Sequence, residues 1–298
     1  MKLHIPVLLQ QTIDLLGLES GQTVLDCTAG YGGHAEAILS KIGPSGHLIL
    51  VDRDTDALSY LRKKFASHTN IDFLHSNFAE LNWDNIPQPD RILLDLGVSS
   101  PQLDTPTRGF SFSKDARLDM RMDTTQAKDA LEIVNGYDES DIASIIYKYG
   151  EESRSRQIAK AIVLARSVSA IASTTELASI VSSALPGKTK VHPATKTFQA
   201  IRIEVNAELY SLERVLPMAS RCLKSKGIMA IISFHSLEDR IVKQYFKRIT
   251  NSEKDYVTGM EIGTPNFRLV NKKPVKGSKN DNNPRARSAM LRAVEKIN

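Results

Sequence analysis

The chain has 298 residues, 41% hydrophobic and 24% charged, with a formal net charge of +5. That length accommodates one large α/β domain or two of ordinary size, and the composition excludes a disordered chain. No apolar run nears the roughly 20 residues of a membrane helix, and two cysteines without a CxxC pair, Cys27 and Cys222, argue against a thiolate zinc site, so no metal is expected.

Residues 1–10 carry Pro6 inside a short apolar run with no small-residue cleavage site after a longer one, and read as mature protein rather than a signal peptide. Cys27 sits in an apolar run and is expected as a packed thiol. These features place the protein in the cytoplasm. The charge is uneven: residues 268–298 hold nine basic and two acidic side chains, a net of +7, which leaves −2 on the rest. A basic tail on a near-neutral body is what a phosphate-binding protein shows, although a tail selected for solubility has the same composition.

In chain order, residues 23–27 form a short strand-like run with Asp26, followed by the glycine turn Gly30-Tyr31-Gly32-Gly33. Residues 35–42 predict a helix stopped by Gly43-Pro44, and 47–51 a second strand ending in Asp52. Asp54 is placed to cap the next helix, with Ala57, Leu58, Leu61 and Phe65 at helical spacing. Residues 71–74 and 91–94 predict a third and a fourth strand, the latter ending in Asp95 and Gly97. Strands alternating with helices imply parallel βαβ units.

From about residue 105 to 206 the strand signal gives way to helical spacing. Ile142, Ile145 and Ile146 share a face ended by Gly150, Ile158, Ile162 and Ala165 another, and Ser173 and Glu176 fit a capping box before Leu177, Ile180 and Val181. Phe198, Ile201, Val205, Leu209, Leu212 and Leu216 predict one long amphipathic helix. Alternation then resumes: a strand over 227–234, a helix starting at Ser236, polar loop over 251–284, and a last strand over 289–294. The expected fold is a doubly wound, mostly parallel sheet interrupted by a helical insertion, with domains 1–104 plus 207–298 and 105–206.

The glycine turn after the first strand lets a ligand approach the backbone, and the helix that follows favours negative charge. Gly30, Gly32 and Ala35 satisfy the dinucleotide pattern G-x-G-x-x-A. Asp52 is placed to hold two ribose hydroxyls, a device that NAD enzymes and methyltransferases share. Two features favour a methyl donor. Asp26 stands four residues before the glycine turn, where an acid can organise it around a cationic group. The fourth strand ends in Asp95-Leu96-Gly97-Val98-Ser99-Ser100-Pro101-Gln102, which resembles the Ser-Pro-Pro-aromatic or Asp-Pro-Pro-aromatic loop of amino-methyltransferases, with Gln102 where the aromatic residue would stand. His235 follows a strand end and is a candidate for substrate contact or for a structural cap. Arg108, Lys114, Arg117 and Arg121 are candidates for phosphate binding, but Asp115, Asp119 and Asp123 among them offer mutual pairing instead.

The chain resembles the RsmH/MraW family of ribosomal RNA small subunit methyltransferase H over nearly its whole length. The resemblance rests on His4-Ile5-Pro6-Val7-Leu8-Leu9, Gly30-Tyr31-Gly32-Gly33-His34, Val51-Asp52-Arg53-Asp54 and the loop from Leu94 to Leu103. It continues through Arg108-Gly109-Phe110-Ser111-Phe112, Leu118-Asp119-Met120-Arg121-Met122 and the stretch from His192 to Ala200. It ends with Ser233-Phe234-His235-Ser236-Leu237-Glu238-Asp239-Arg240 and Asn283-Pro284-Arg285-Ala286-Arg287-Ser288.

This resemblance implies a Rossmann-like class I methyltransferase sheet with an inserted all-helical substrate-recognition domain. It implies methyl transfer from S-adenosyl-L-methionine to the N4 amine of a cytidine in the decoding region (P site) of 16S rRNA. Implied cofactor contacts are Gly32, Gly33, His34, Asp52, Phe78, Asp95 and Gln102. The catalytic candidates are Asp95, Ser99, Ser100, Pro101 and His235. Expected partners are 16S rRNA or the small ribosomal subunit and no membrane; a homodimer is admissible, the sequence leaving oligomeric state open. The competing readings are an NAD-dependent oxidoreductase, from the G-x-G-x-x-A match, and a non-catalytic RNA-binding protein, from the basic tail.

Overall fold

The computed structural model describes residues 6–185, 187, 191–254, 261–262, 264–278 and 283–298. The chain folds as two units, one of Met1–Gly97 with Leu209–Asn298 and one of Val98–Glu208. The elements run α1 (Leu9–Leu16), β1 (Thr23–Asp26), α2 (Gly33–Ile42), β2 (His47–Asp52), α3 (Thr55–Lys64), β3 (Ile71–His75) and β4 (Arg91–Asp95). There follow α4 (Ser100–Asp104), α5 (Ala130–Gly136), α6 (Glu139–Gly150), α7 (Ser155–Val168), α8 (Thr174–Ala184) and α9 (Thr195–Asn206). The chain closes with α10 (Glu208–Cys222), β5 (Ile228–Ser233), α11 (Ser236–Thr250), β6 (Glu253–Lys254), β7 (Glu261–Ile262), β8 (Phe267–Leu269), β9 (Val275–Lys276) and β10 (Met290–Lys296).

In the first unit β1 to β5 are parallel and lie in the order β3-β2-β1-β4-β5, continued by β10 and β8. Their apolar runs are explained by helices on both faces. Leu25, Ile49, Val51, Ile92, Leu94 and Ile231 pack with Leu212, Leu216, Val242 and Phe246 of α10 and α11. Val24, Leu48, Leu50, Leu93 and Ile232 point the other way, to Leu16, Ile38, Leu58 and Leu61 of α1 to α3. Strands buried on both faces lose the apolar–polar alternation of a half-exposed sheet. Arg91 fastens α1 to the start of β4 by donating to the carbonyls of Leu16, Gly17 and Asp90. The strand order reverses between β1 and β4, the place where open α/β sheets bind ligands at the carboxyl ends of their strands.

The polar stretch 251–284 is not all loop. β8 and β9 both pair antiparallel with β10, which is itself antiparallel to β5, and β6 pairs β7. Strands of two or three residues carry no period to read; pairing with a long buried neighbour holds them. The basic segment is likewise not a tail. Arg268 makes a bidentate pair with Glu295 at 3.0 Å, and Arg292 pairs with Asp239 at 2.7 and 3.0 Å. Lys296 donates to the carbonyls of Arg221 and Leu223. Lys279, also in that segment, lies outside the described residues.

The second unit is helical among its described residues, apart from one isolated bridge between Arg117 and Ser173. Its core gathers Leu118, Ile133, Ile142, Ile146, Ile158, Ile162, Leu177, Val181, Phe198 and Ile201. The capping box before α8 is half closed: Ser173 accepts from the Glu176 N–H, while the Glu176 carboxylate takes the N–H of Ala172 instead of that of Ser173. Asp119 receives both Arg117 and Arg121, and Arg108 donates to the carbonyls of Arg121 and Met122. Arg117 and Arg121 are thus engaged with Asp119, and Arg108 with backbone carbonyls.

The long helix predicted through Phe198 to Leu216 is two. Ala207 adopts φ 47, ends α9 and sends its N–H to the carbonyls of Glu204 and Ile203. Phe198, Ile201 and Val205 enter the core of the second unit, whereas Leu212 and Leu216 enter the core of the first. The apolar spacing runs across the break without interruption, and the stop residue is alanine rather than the glycine that usually marks a left-handed helix end.

Candidate active site

Three carboxylates close three adjacent parallel strands, Asp26 on β1, Asp52 on β2 and Asp95 on β4. Asp26 is buried, and its Oδ1 accepts the N–H of Thr28 at 3.1 Å. Thr28 Oγ1 in turn accepts the N–H of Asp95 at 2.6 Å, tying the turn after β1 to the end of β4. Asp52 Oδ2 accepts the N–H of Gly30 at 2.7 Å and its Oδ1 that of Asp54 at 2.8 Å. Asp54 then caps α3 by accepting from Asp56, as its position in the sequence suggested.

His34, buried in the first turn of α2, brings its Nε2 to 3.5 Å from Asp95 Oδ2. That is an ion-pair distance but too long for a well-formed hydrogen bond. Among the described residues Asp95 Oδ1 is buried without a hydrogen-bond partner, and neither His34 ring nitrogen makes a well-formed hydrogen bond. Burial drives the Asp26 carboxyl up to about 7, against the pull of the His34 ring and the Thr28 N–H. Burial would lower His34, but Asp95 first and then Asp26 outweigh it, and its value is raised. Enclosure also raises Asp52, opposed by the N–H groups of Asp54 and Gly30. Burial pushes the Cys27 thiol well up, which fits the packed, unreactive cysteine expected there.

The glycines do different jobs. At Gly30, φ 51, a Cβ would meet only the Thr28 carbonyl at 3.9 Å, so the space beside it is open. At Gly32, φ 76, a Cβ would lie 2.7 Å from Leu61, and at Gly33 2.4 Å from Pro6. Packing within the protein therefore demands glycine at Gly32 and Gly33, while a ligand can approach Gly30. Phe78, after β3, is half-buried in the core beside α10 and gives its carbonyl to Trp83 Nε1.

The remaining candidates are partly committed to local structure. Ser99 caps α4 by accepting the Gln102 N–H, and Gln102 Oε1 accepts the Ser99 N–H, a closed capping box with Pro101 in the first turn. His235 caps α11 in the same way, Nδ1 facing the Glu238 N–H and Glu238 Oε2 taking the His235 N–H. Thr28 escaped the sequence reading; a hydroxyl between Asp26 and Gly30 was the available signal.

A parallel sheet with acids at three strand ends around a glycine turn defines an α/β protein built to bind a nucleoside-bearing cofactor. The buried Asp95 Oδ1, without a partner among the described residues, and the open space at Gly30 fit such a group. The model of the MraW methylase family matches residues 1–297, and the chain belongs to that family. Its methyl donor is S-adenosylmethionine, which sets aside the NAD reading. The chain is 43% identical over 300 residues to the ribosomal RNA small subunit methyltransferase H of Stenotrophomonas maltophilia, covering 98% of this chain and 93% of that one. It is 44% identical over 306 residues to the protein of the same name from Fusobacterium nucleatum, covering 99% and 97%. Among solved structures, an rRNA methylase from Streptococcus thermophilus aligns over 99% of both chains with a TM-score of 0.45 and 10% identity. Among the described residues no helix is long and apolar enough to cross a membrane.

Proposed function

We propose that this protein transfers a methyl group to the N4 amine of a cytidine in the decoding region of 16S rRNA, at the P site. Family membership and the names of its relatives support an rRNA substrate. The observation that carries the chemistry is Asp95 Oδ1, a buried carboxylate oxygen at the carboxyl end of β4 with no partner among the described residues.

When bound, S-adenosylmethionine supplies an electrophilic methyl on sulfur. Asp52, its two oxygens fixed by backbone N–H groups, keeps lone pairs for ribose hydroxyls. Phe78 would pack beside the adenine, and the turn through Gly30, Gly32, Gly33 and His34 would hold the methionine end. The cytosine amine is a poor nucleophile because its lone pair is delocalised into the ring. Asp95 accepts an amine hydrogen and draws the nitrogen toward tetrahedral geometry. Positioning of this kind supplies about 7–11 kcal/mol. As the methyl would pass from sulfur to the amine nitrogen, the amine proton, acidic only then, would leave through Asp95. His235 turns Nδ1 to a helix cap and Nε2 to the Glu238 carboxylate at 3.3 Å, whereas Asp95 closes a strand beside the glycine turn, so we place the chemistry on Asp95.

The helical unit is assigned substrate recognition, and the target base leaves its stacked arrangement to reach the site. Mapping N4-methylcytidine in 16S rRNA from cells with and without this protein tests the reading. The mark should vanish with the gene, return with the parent protein and stay absent with Asp95→Ala. A mark that persists without the gene overturns the proposal.

A further inference from the structure

The motif Asn283-Pro284-Arg285-Ala286-Arg287-Ser288 has no role in the chemistry above. It forms a 3-10 helix, Pro284–Ser288, immediately before β10. That helix lies directly against β9: the Gly277 N–H donates to the Ala289 carbonyl at 3.1 Å, and a Cβ on Gly277 would fall 1.6 Å from the Ala286 carbonyl oxygen. Lys276 and Arg287 are both exposed, and Lys272 and Lys273 are exposed just before β9. Among the described residues from Val270 to Ser288 every charged side chain is basic.

The register fixes where this cluster stands. Asp95 on β4 is level with Ile232 on β5, Ile232 with Leu291 on β10, and Leu291 with Val275 on β9. Lys276 is one residue further on, opposite Met290, which faces Ser233 at the carboxyl end of β5. The cations therefore share the edge of the sheet that carries Asp26, Asp52 and Asp95. Three strand spacings of about 4.8 Å put Val275 roughly 14 Å from Asp95 along that edge. Arg268 stands elsewhere, level with the opposite end of β10.

We propose that Lys276, Arg285 and Arg287, flanked by Lys272 and Lys273, form a phosphate-binding rim for the single RNA strand that carries the target base. The rim holds the backbone a few nucleotides from the base, while Asp95 handles the base itself. Phosphate contacts fix register without reading sequence, and a row of cations beside the reaction centre suits that task. This inference rests on the RNA-methylation reading.

The test measures binding of the full-length protein to a single-stranded RNA oligonucleotide of the decoding region across a salt series, with single-turnover methylation at saturating RNA. Each phosphate contact to single-stranded RNA contributes about 0.7 to the slope of log K against log salt. Lys276→Gln with Arg287→Gln should flatten the slope by about 1.4 and weaken binding about tenfold near physiological salt. S-adenosylmethionine affinity and the saturated rate should be unchanged. A charge-matched control, Lys226→Gln with Arg268→Gln, removes two exposed cations at the opposite edge and should leave the slope as it was. If both pairs change the slope equally, net charge alone acts and the rim is refuted; an unchanged slope in the first pair refutes it equally. If the parent protein neither binds nor methylates RNA, the functional reading fails instead.

Discussion

Replacing Asp52 tests the cofactor site where the geometry is most explicit. Its carboxylate takes the Gly30 N–H at 2.7 Å on one oxygen and the Asp54 N–H at 2.8 Å on the other. Each oxygen keeps a second lone pair, so two ribose hydroxyls can be met without breaking either internal bond. A hydrogen bond to a charged group contributes about 1.5–3 kcal/mol. Asp52→Ala should therefore weaken S-adenosylmethionine binding between about a hundredfold and ten-thousandfold. The same change leaves two backbone N–H groups unanswered and loosens the turn, so melting temperature must be measured alongside calorimetry. Asp52→Asn separates the effects: it keeps one acceptor but sets an amide NH2 against one backbone donor. It should lose less affinity than alanine and as much or more stability. Donor affinity unchanged in Asp52→Ala, with the protein folded, would refute the assignment.

Ala207→Gly should stabilise the protein by up to about 1 kcal/mol, read as a raised denaturant midpoint, because φ 47 strains any residue with a Cβ. Asn206 is buried and bridges the Met122 N–H to the carbonyls of Met120 and Arg202. Asn206→Leu should cost about 2–4 kcal/mol of unfolding free energy, since it strands buried backbone groups. Asp26 has a folded value of about 7 against an ordinary 3.8. Its ionisation is thus disfavoured by folding, and its contribution to stability is intact below about pH 4 and falls as pH rises toward 7. His34, raised above 6.5, loses its contribution in the same direction as pH climbs through its folded value. The stability of Asp26→Asn relative to the parent should grow between pH 4 and 7 in denaturant titrations, and parallel curves would contradict the burial argument.

The fold was readable where one residue type sets local geometry. Asp54 announced α3, Gly43 ended α2, and the runs ending in Asp52 and Asp95 gave the strands that carry the site. Reading failed where neighbours decide. Ala207 breaks a helix that composition would continue, because the residues on either side are drawn into different cores. β8 and β9 exist only by pairing with β10, and Arg268 and Arg292 looked like part of a tail because their partners, Glu295 and Asp239, are fixed by tertiary register rather than by sequence distance. The glycine turn was legible as a turn. That Gly32 and Gly33 answer to Leu61 and Pro6 was not, since nothing local encodes those contacts.

The three carboxylates look alike in the sequence and differ in how their lone pairs are spent. Asp26 is buried, with its charge opposed by burial and its Oδ1 held by the Thr28 N–H, so it is bound into the turn itself. Asp52 gives each oxygen one backbone donor, which fixes its orientation and leaves acceptors aimed by the scaffold, the property a ribose contact needs. Asp95 has one oxygen near His34 and the other buried without a partner among the described residues. Leaving a buried carboxylate oxygen unmatched costs stability, and such a cost is most often tolerated where the atom has work to do on a ligand. Its backbone N–H is meanwhile pinned by Thr28, so the carboxylate is held from behind while its free oxygen stays available. The acid whose bonding is least complete is the one placed to take a proton as the new bond forms, and this is the reason for giving the chemical step to Asp95 rather than to either neighbour.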